Sequence, residues 1–591
     1  MVSPLRPRSG QASTSSGQAL SKPDNHFFST LLVQSRRALQ RLSRGVLCGI
    51  FWGINLLARA FEGTYNTLRL DLSGSLPEEG PSPLATLWRA PGMDFLTLIS
   101  LLRWAREDEH IRAVVLTVAD LDVGWARLQS LHRSLLALRQ AGKHVWVYLT
   151  EGGTREYYLA SAADTVVLAP AGHLAVTGLA AETLFFKGAL DKLGIEAQVH
   201  QAGQYKAAGE AFTRESMSGP HREMLEGLLD DLYSQIIEGI ALARNKSKAK
   251  VQELIDQGLF LAREALAAGL VDQVDYEDAV PARLEAKIGP VQVIEAGLYQ
   301  RQRVRALRCQ LLRYAPRKIA LVTVGGPVKR GETVDSPEGG RAVGSTSFAR
   351  DLKRVRDDQS VAAVVVRIAS PGGSGVASDL MWRELLRTRE RKPVIVSMGD
   401  VAASGGYYLA LAGEKLFAEE GTITGSIGVI AGKAVLHDLY THLGVGKEIL
   451  TRGRRAALFS DYLAFAPPER ERLEFEIQAF YQDFVEKVAR CRSLSAEAVE
   501  PSAQGRVWSG RQAWVRGLVD EMGGLEEALA EAKRRMGLSA ERPVIVERIP
   551  KPSSSWRLSL LLRLLPRTSE VPWWWARERV WAILPFSLRL L

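Results

Sequence analysis

Two stretches of this chain repeat each other at a nearly constant offset, and a duplication constrains a fold more tightly than any single motif. Ala113-Val114-Val115-Leu116 returns as Ala363-Val364-Val365-Val366, and Tyr157-Tyr158-Leu159-Ala160 as Tyr407-Tyr408-Leu409-Ala410, each 250 positions on. Gly269-Leu270-Val271-Asp272 returns as Gly517-Leu518-Val519-Asp520, 248 positions on, so only small insertions separate the copies. A unit of this length is a whole domain, and 591 residues hold two of them plus tails. The pattern divides the chain into a tail (1–30), a basic flank with a hydrophobic segment (31–60), a first copy (61–300), a second copy (318–545) and a basic tail rich in Trp and Leu (546–591).

Each copy reads as α/β. In the second, short apolar runs at Ile319 to Val324, Val361 to Ile368 and Val394 to Met398 alternate with helical stretches at Ser347 to Arg356 and Ala377 to Arg389. The first copy keeps that order with Leu68 to Leu72, Ile111 to Val118 and Val145 to Leu149. Apolar strands between helices predict mostly parallel sheets covered on their faces. A long amphipathic helix follows in each copy, over Arg222 to Asn245 and Glu469 to Arg492.

The copies differ where chemistry needs particular atoms. The second has Ser404 in Ala-Ala-Ser-Gly-Gly, and the first has Thr154 there. The first has Lys206 in Gln-Tyr-Lys-Ala-Ala, and the second has Ala456 there. One serine and one lysine in opposite copies suggest a Ser–Lys pair assembled across a domain interface. Ser404 follows an apolar strand and precedes Tyr-Tyr-Leu-Ala, a strand-to-helix turn that presents a hydroxyl at the sheet edge. Taken alone, such a serine also fits a plain helix N-cap. The residue two before it is Ala402, so this is not the G-x-S-x-G elbow.

Ser370-Pro371-Gly372-Gly373-Ser374 follows the strand ending at Ile368. Paired glycines free backbone N–H groups for an oxyanion, and we assign that role to the Gly372/Gly373 turn and the N–H of Gly405. An ordinary Pro-Gly turn is the plainer alternative. The first copy has Asp120-Leu121-Asp122-Val123 at the equivalent place, which suits no oxyanion. His437 and His442, the histidines of the second half, fall in a helical stretch and are poor candidates for a base. Lys206 is better: a free lysine is protonated at neutral pH, but burial disfavours the cation and lets the amine accept a proton.

The formal charge of +10 does not sit on the body. Residues 1–59 carry +7 and residues 551–591 carry +5, leaving the middle near −2. Basic, apolar ends on a near-neutral body point to a membrane surface rather than nucleic acid. Residues 1–25 read as disordered. The uncharged run Gly45 to Ala58 follows Arg36, Arg37, Arg41 and Arg44. It reads as a short membrane anchor, a secretory signal cut near Ala58-Arg59-Ala60, or an interfacial helix. Trp573-Trp574-Trp575 and Trp581 among Arg577, Arg579 and Arg589 suit lipid headgroups, or a helix packed on the body. Cys48, Cys309 and Cys491 fit neither a metal site nor a disulfide framework and read as small buried residues.

Together, Ser-Pro-Gly-Gly-Ser, Gly399-Asp400-Val401-Ala402-Ala403-Ser404-Gly405-Gly406-Tyr407 and Gly421-Thr422-Ile423-Thr424-Gly425-Ser426-Ile427-Gly428-Val429 resemble the long, two-domain form of protease IV, the signal peptide peptidase A family. The resemblance covers roughly residues 60–540 and is strongest in the second copy. It implies tandem ClpP/crotonase-like domains, with Ser404 as nucleophile and Lys206 as general base of a serine peptidase. It further implies a bowl-shaped homotetramer, anchored by a single pass in the inner membrane and facing the periplasm. The implied substrates are signal peptides left after secretion. Ser426 or Thr424 is expected to orient the lysine. No cofactor, metal or nucleic acid is expected. A crotonase-like acyl-CoA enzyme and a catalytically inactive membrane scaffold are the rival readings.

Overall fold

The computed structural model describes residues 65–78, 93–312, 317–335, 340–539, 542, 544–550 and 581–583. The first copy is built on six strands, all parallel. Their spatial order is Val293–Glu295, Thr67–Ser75, Ala113–Asp122, His144–Leu149, Thr165–Leu168 and Gln273–Val274. The second copy repeats the arrangement as Ile545–Ile549, Lys318–Gly325, Val361–Ser370 and Val394–Ala403. Beyond that last strand, Lys415–Ala418 pairs with its first half and Ile423–Gly425 with its second half. Val361–Ser370 is Val-rich and buried along most of its length, as a strand covered on both faces must be. The mixed α/β class and the doubled architecture are therefore as the sequence pattern implied.

Helix Ala296–Leu312 joins the copies. The second sheet runs to Ile549, because Ile545–Ile549 adds a parallel edge beside Lys318–Gly325; the tail begins a few residues later than the composition suggested. Cys491 is half-buried and free. Among the described residues, no helix is long and apolar enough to cross a membrane. The Gly45–Ala58 run, residues 1–25 and the stretch through Trp573-Trp574-Trp575 lie outside them. Trp581 belongs to a three-residue strand, Trp581–Ile583, not to a helix packed on the body.

Two features lock the copies together. Strand Glu196–Ala202 of the first pairs antiparallel with Val429–Val435 of the second, from Ala202 opposite Val429 to Glu196 opposite Val435. The hydrophobic core is also shared. Strands of the second sheet send Ile319, Leu321, Val365 and Ile395 to the first copy's core, while Val322, Val364, Val366 and Val396 face the second copy's own core. Alternate residues thus serve alternate cores, the period of two that a strand imposes.

Candidate active site

Strand Val394–Ala403 ends directly at Ser404, and helix Gly405–Ala410 starts directly after it. This abrupt change is achieved with φ 56° at Ser404, a region that a residue with a Cβ seldom occupies. Two backbone bonds hold it there: the Ser404 N–H donates to Gly425 O (2.8 Å), and Ser404 O accepts from the Tyr408 N–H (2.8 Å). The hydroxyl makes no N-cap bond, which sets aside the capping alternative. Gly405 takes the first helical position, where backbone N–H groups have no intrahelical acceptor.

The lysine arrives from the other copy. Strand Glu196–Ala202 ends, Gly203 turns with φ 102°, and Lys206 follows. The turn is clamped by residues 504–506 of the second copy. The Tyr205 N–H donates to Gln504 O (2.8 Å). A Cβ on Gly505 would sit 2.6 Å from the Lys206 backbone N and Cβ, so only glycine permits this approach. The Arg506 guanidinium lies 4.7 Å from the centre of the Tyr205 ring and pairs with Glu223 at 2.6 Å.

Lys206 Nζ then lies 2.7 Å from Ser404 Oγ, 2.9 Å from Ser426 Oγ and 3.0 Å from Ser426 O. Lys206, Ser404 and Ser426 are all fully buried. Burial alone pushes the Lys206 amine well below the ordinary lysine value. A neutral amine has two N–H donors and one lone pair, which matches two acceptors on Ser426 and one hydroxyl donor on Ser404. Ser426, like Ser404, has a positive φ (52°), and its N–H is held by Arg506 O at 2.7 Å.

Thr424 does not share this task. Its hydroxyl donates to Ala402 O (2.7 Å), because it lies on strand Ile423–Gly425, whose partner is the strand carrying Ala402. His437 and His442 are exposed on helix His437–His442, and His437 pairs with Asp438. Gly372 and Gly373 form strand Gly372–Ser374 and are buried. Gly372 has φ 101°, and its N–H donates to Ser370 Oγ (3.2 Å). A Cβ on Gly373 would meet Val328 O at 2.1 Å, and one on Gly406 would meet Ser370 O at 2.6 Å. These contacts draw the glycine strand and the Ser404 helix together. Gly505 and Arg506 carry no signal in the sequence pattern. Asp400 sat inside a noted motif, and its role emerges only in three dimensions: it accepts from the Arg127 N–H (2.8 Å) across the copies.

The corresponding place in the first copy is filled. Glu156, the counterpart of Gly406, is buried and accepts from the N–H groups of Leu121 (2.6 Å) and Gly153 (2.8 Å). Thr154 bonds with Gly178 at 3.2 Å. A buried carboxylate thus stands in the first copy where the second has a glycine beside Ser404.

The Peptidase family S49 model matches twice, over residues 137–289 and 387–539, once in each copy. The chloroplastic serine protease SPPA of Arabidopsis thaliana is 35% identical over 76% of this chain and 67% of its own length. Protease 4 of Haemophilus influenzae is 31% identical over 74% of this chain and 72% of its own. Among solved structures, a mutant ClpP1 from Listeria monocytogenes matches 35% of this chain and 94% of its own, at 16% identity and a TM-score of 0.24. A buried lysine beside a strained serine, in a chain that matches the same model twice, is what remains to be classified: this chain belongs to peptidase family S49 and is a serine protease with two tandem domains of that family.

Proposed function

We propose that Ser404 is the nucleophile and Lys206 the general base, each supplied by a different copy. The neutral amine takes the hydroxyl proton as Ser404 Oγ attacks a peptide carbonyl. The N–H of Gly405 and those of the Gly372/Gly373 turn receive the oxyanion; the Gly372 donor first releases Ser370 Oγ. The lysine then returns its proton to the leaving amine, and water, deprotonated by the same lysine, frees the acyl group. Ser426 orients the amine through its two acceptors, and Thr424 only braces the strand beside it. The observation that supports this reading is the 2.7 Å approach of Nζ to Oγ in a fully buried setting.

The substrates in this reading are cleaved signal peptides and other apolar peptides. Relatives bear the names Protease 4 and, in Enterococcus faecium, putative signal peptide peptidase SppA. The enzyme works as a homotetramer at the inner membrane with its peptidase domains in the periplasm; the basic, apolar ends of the chain favour a membrane surface. A fluorophosphonate should label Ser404 in the native protein, and peptide mapping should recover the adduct there. Labelling elsewhere, or rapid labelling in the Lys206→Ala protein, would remove the assignment.

A further inference from the structure

A short segment of the second copy, residues 504–508, reaches the whole of the proposed dyad through its backbone. Gln504 O accepts the N–H of Tyr205, the residue before Lys206, and Arg506 O accepts that of Ser426. Val507 stands opposite Gly425, whose carbonyl holds the Ser404 N–H. Any residue supplies a carbonyl, so these bonds do not explain why position 506 is an arginine.

The side chain of Arg506 makes a second, separate connection. Its guanidinium lies 4.7 Å from the centre of the Tyr205 ring and 4.6 Å from that of Trp508. Nη1 lies 2.6 Å from Glu223 Oε1, and the Tyr205 hydroxyl donates to Glu223 Oε2 (3.1 Å). These two bonds hold the Glu223 carboxyl below its ordinary range. Glu223 belongs to helix Gly219–Ala243 of the first copy. Trp508 is a fixed platform, buried and donating from Nε1 to Ser502 O (2.9 Å). The guanidinium therefore joins an anchored ring of the second copy to the ring next to Lys206 in the first. A flat, permanently charged fork suits both contacts, stacking on the rings and pairing with the carboxylate at its edge.

The first copy offers a comparison. Strand Leu259–Leu261 pairs antiparallel with His173–Ala175 as Val507–Ser509 does with Ile423–Gly425, with Leu259 opposite Ala175 and Val507 opposite Gly425. With the strands aligned in this way, Phe260 takes the place of Trp508, and Gly258 that of Arg506. The arginine is present in the copy that receives the lysine turn and absent from the copy that supplies it.

We propose that Arg506 is a positioning residue for Lys206: its side chain clamps the Tyr205 ring and so fixes the lysine turn of one copy against Ser404 and Ser426 of the other. The proposal rests on the reading of Lys206 as the base. A turn that swings by about 1 Å loses the close approach of Nζ to Ser404 Oγ, and such misplacement costs up to about 100-fold in rate. It also admits water to an amine that burial alone keeps from its ordinary value.

Cleavage of a fluorogenic apolar peptide by the full-length chain, followed from pH 6 to 10, tests this. Arg506→Ala should lower kcat about tenfold with little change in KM. It should also move the lysine limb of the pH profile upward by about half a unit or more, because a wetter amine returns toward its ordinary value. Tyr205→Ala should do the same, and the double variant should be little worse than either single one. Arg516→Ala removes the other guanidinium on Trp508, 3.5 Å from the ring centre, without touching Tyr205. It should leave kcat and the limb in place, and thermal melts check that each variant is folded at the assay temperature. An unmoved limb in both Arg506→Ala and Tyr205→Ala, or losses that multiply in the double variant, overturns the inference while the dyad stands. A limb that persists in Lys206→Ala removes the base assignment itself, and this inference with it.

Discussion

Lys206 carries the largest electrostatic cost at the site, and that cost makes its state measurable. Burial holds its amine well below the ordinary value of about 10.4. Between the folded and the ordinary pKa, the unfolded chain binds a proton that the folded chain does not, so stability rises with pH across that window. The full penalty is present below the folded pKa and is gone above about 10.4. Lys206→Met should therefore raise Tm at neutral pH and flatten the rise in stability with pH, as followed by thermal melts from pH 6 to 10. With Lys206 as the proposed base, kcat/KM should climb with pH to a plateau, with its midpoint at the lowered lysine value. Lys206→Ala should cut kcat by about 10²- to 10⁴-fold and erase that limb. Ser426→Ala removes one acceptor worth about 1 kcal/mol, so kcat should fall only several-fold while the limb persists. Ser404 and Lys206 were legible because each stands where its sister copy has something else. Gly505 was not, since a glycine chosen for close approach leaves no pattern in a single chain.

Among the elements, helix Trp125–Gln140 of the first copy shows how the serine is aligned with a lysine from elsewhere. Its N-cap is Gly124, which offers no side chain, and the capping acceptor comes from the other copy: Asp400, four residues before Ser404, receives the Arg127 N–H. The Arg127 guanidinium pairs with the same carboxylate. Further along the helix, Arg133 bonds the buried Glu419 (2.8 Å), and Gln129 accepts from the Gly421 N–H (2.7 Å). A Cβ on Gly124 would overlap Asp400 at 2.2 Å, which explains the glycine. Asp400→Ala removes a helix cap and an ion-pair partner at once and should lower stability by about 1–3 kcal/mol in urea titrations. Combined with Arg127→Ala, the loss should be clearly less than additive, the mark of direct contact. Strands and helices were foreseeable from periodicity to within a few residues. Glu196–Ala202 was not, because Glu-Ala-Gln-Val-His-Gln-Ala is largely half-exposed and lacks an apolar rhythm; its partners lie between 227 (429 − 202) and 239 (435 − 196) positions away. Such a strand is specified by the edge it meets rather than by its own residues.

For the whole molecule, the division of labour between the copies raises the question of whether either one folds alone. The residues that the second copy gives to the shared core include Ile319, Leu321, Val365, Ile395, Phe417 and Leu529. Each is worth about 1.5–3 kcal/mol when fully buried. Exposing all six would cost on the order of 10 kcal/mol, which is comparable with the entire net stability of an ordinary domain, about 5–15 kcal/mol. The interface therefore cannot be a late docking of two finished domains, and the repeat seen in the sequence is a duplication of pattern without independence of fold. Loss of the partner would also strip Val429–Val435 of its pairing with Glu196–Ala202 and leave Glu419 without Arg133. Residues 65–307 and 317–550 expressed separately should each bind a hydrophobic dye and lack a cooperative thermal transition. Mixed or co-expressed, they should recover a single transition and fluorophosphonate labelling at Ser404, because neither alone holds both the hydroxyl and the amine. A second half that melts cooperatively on its own would show that the shared core is dispensable. The Ser404 loop would then owe only its reactivity, and not its shape, to the first copy.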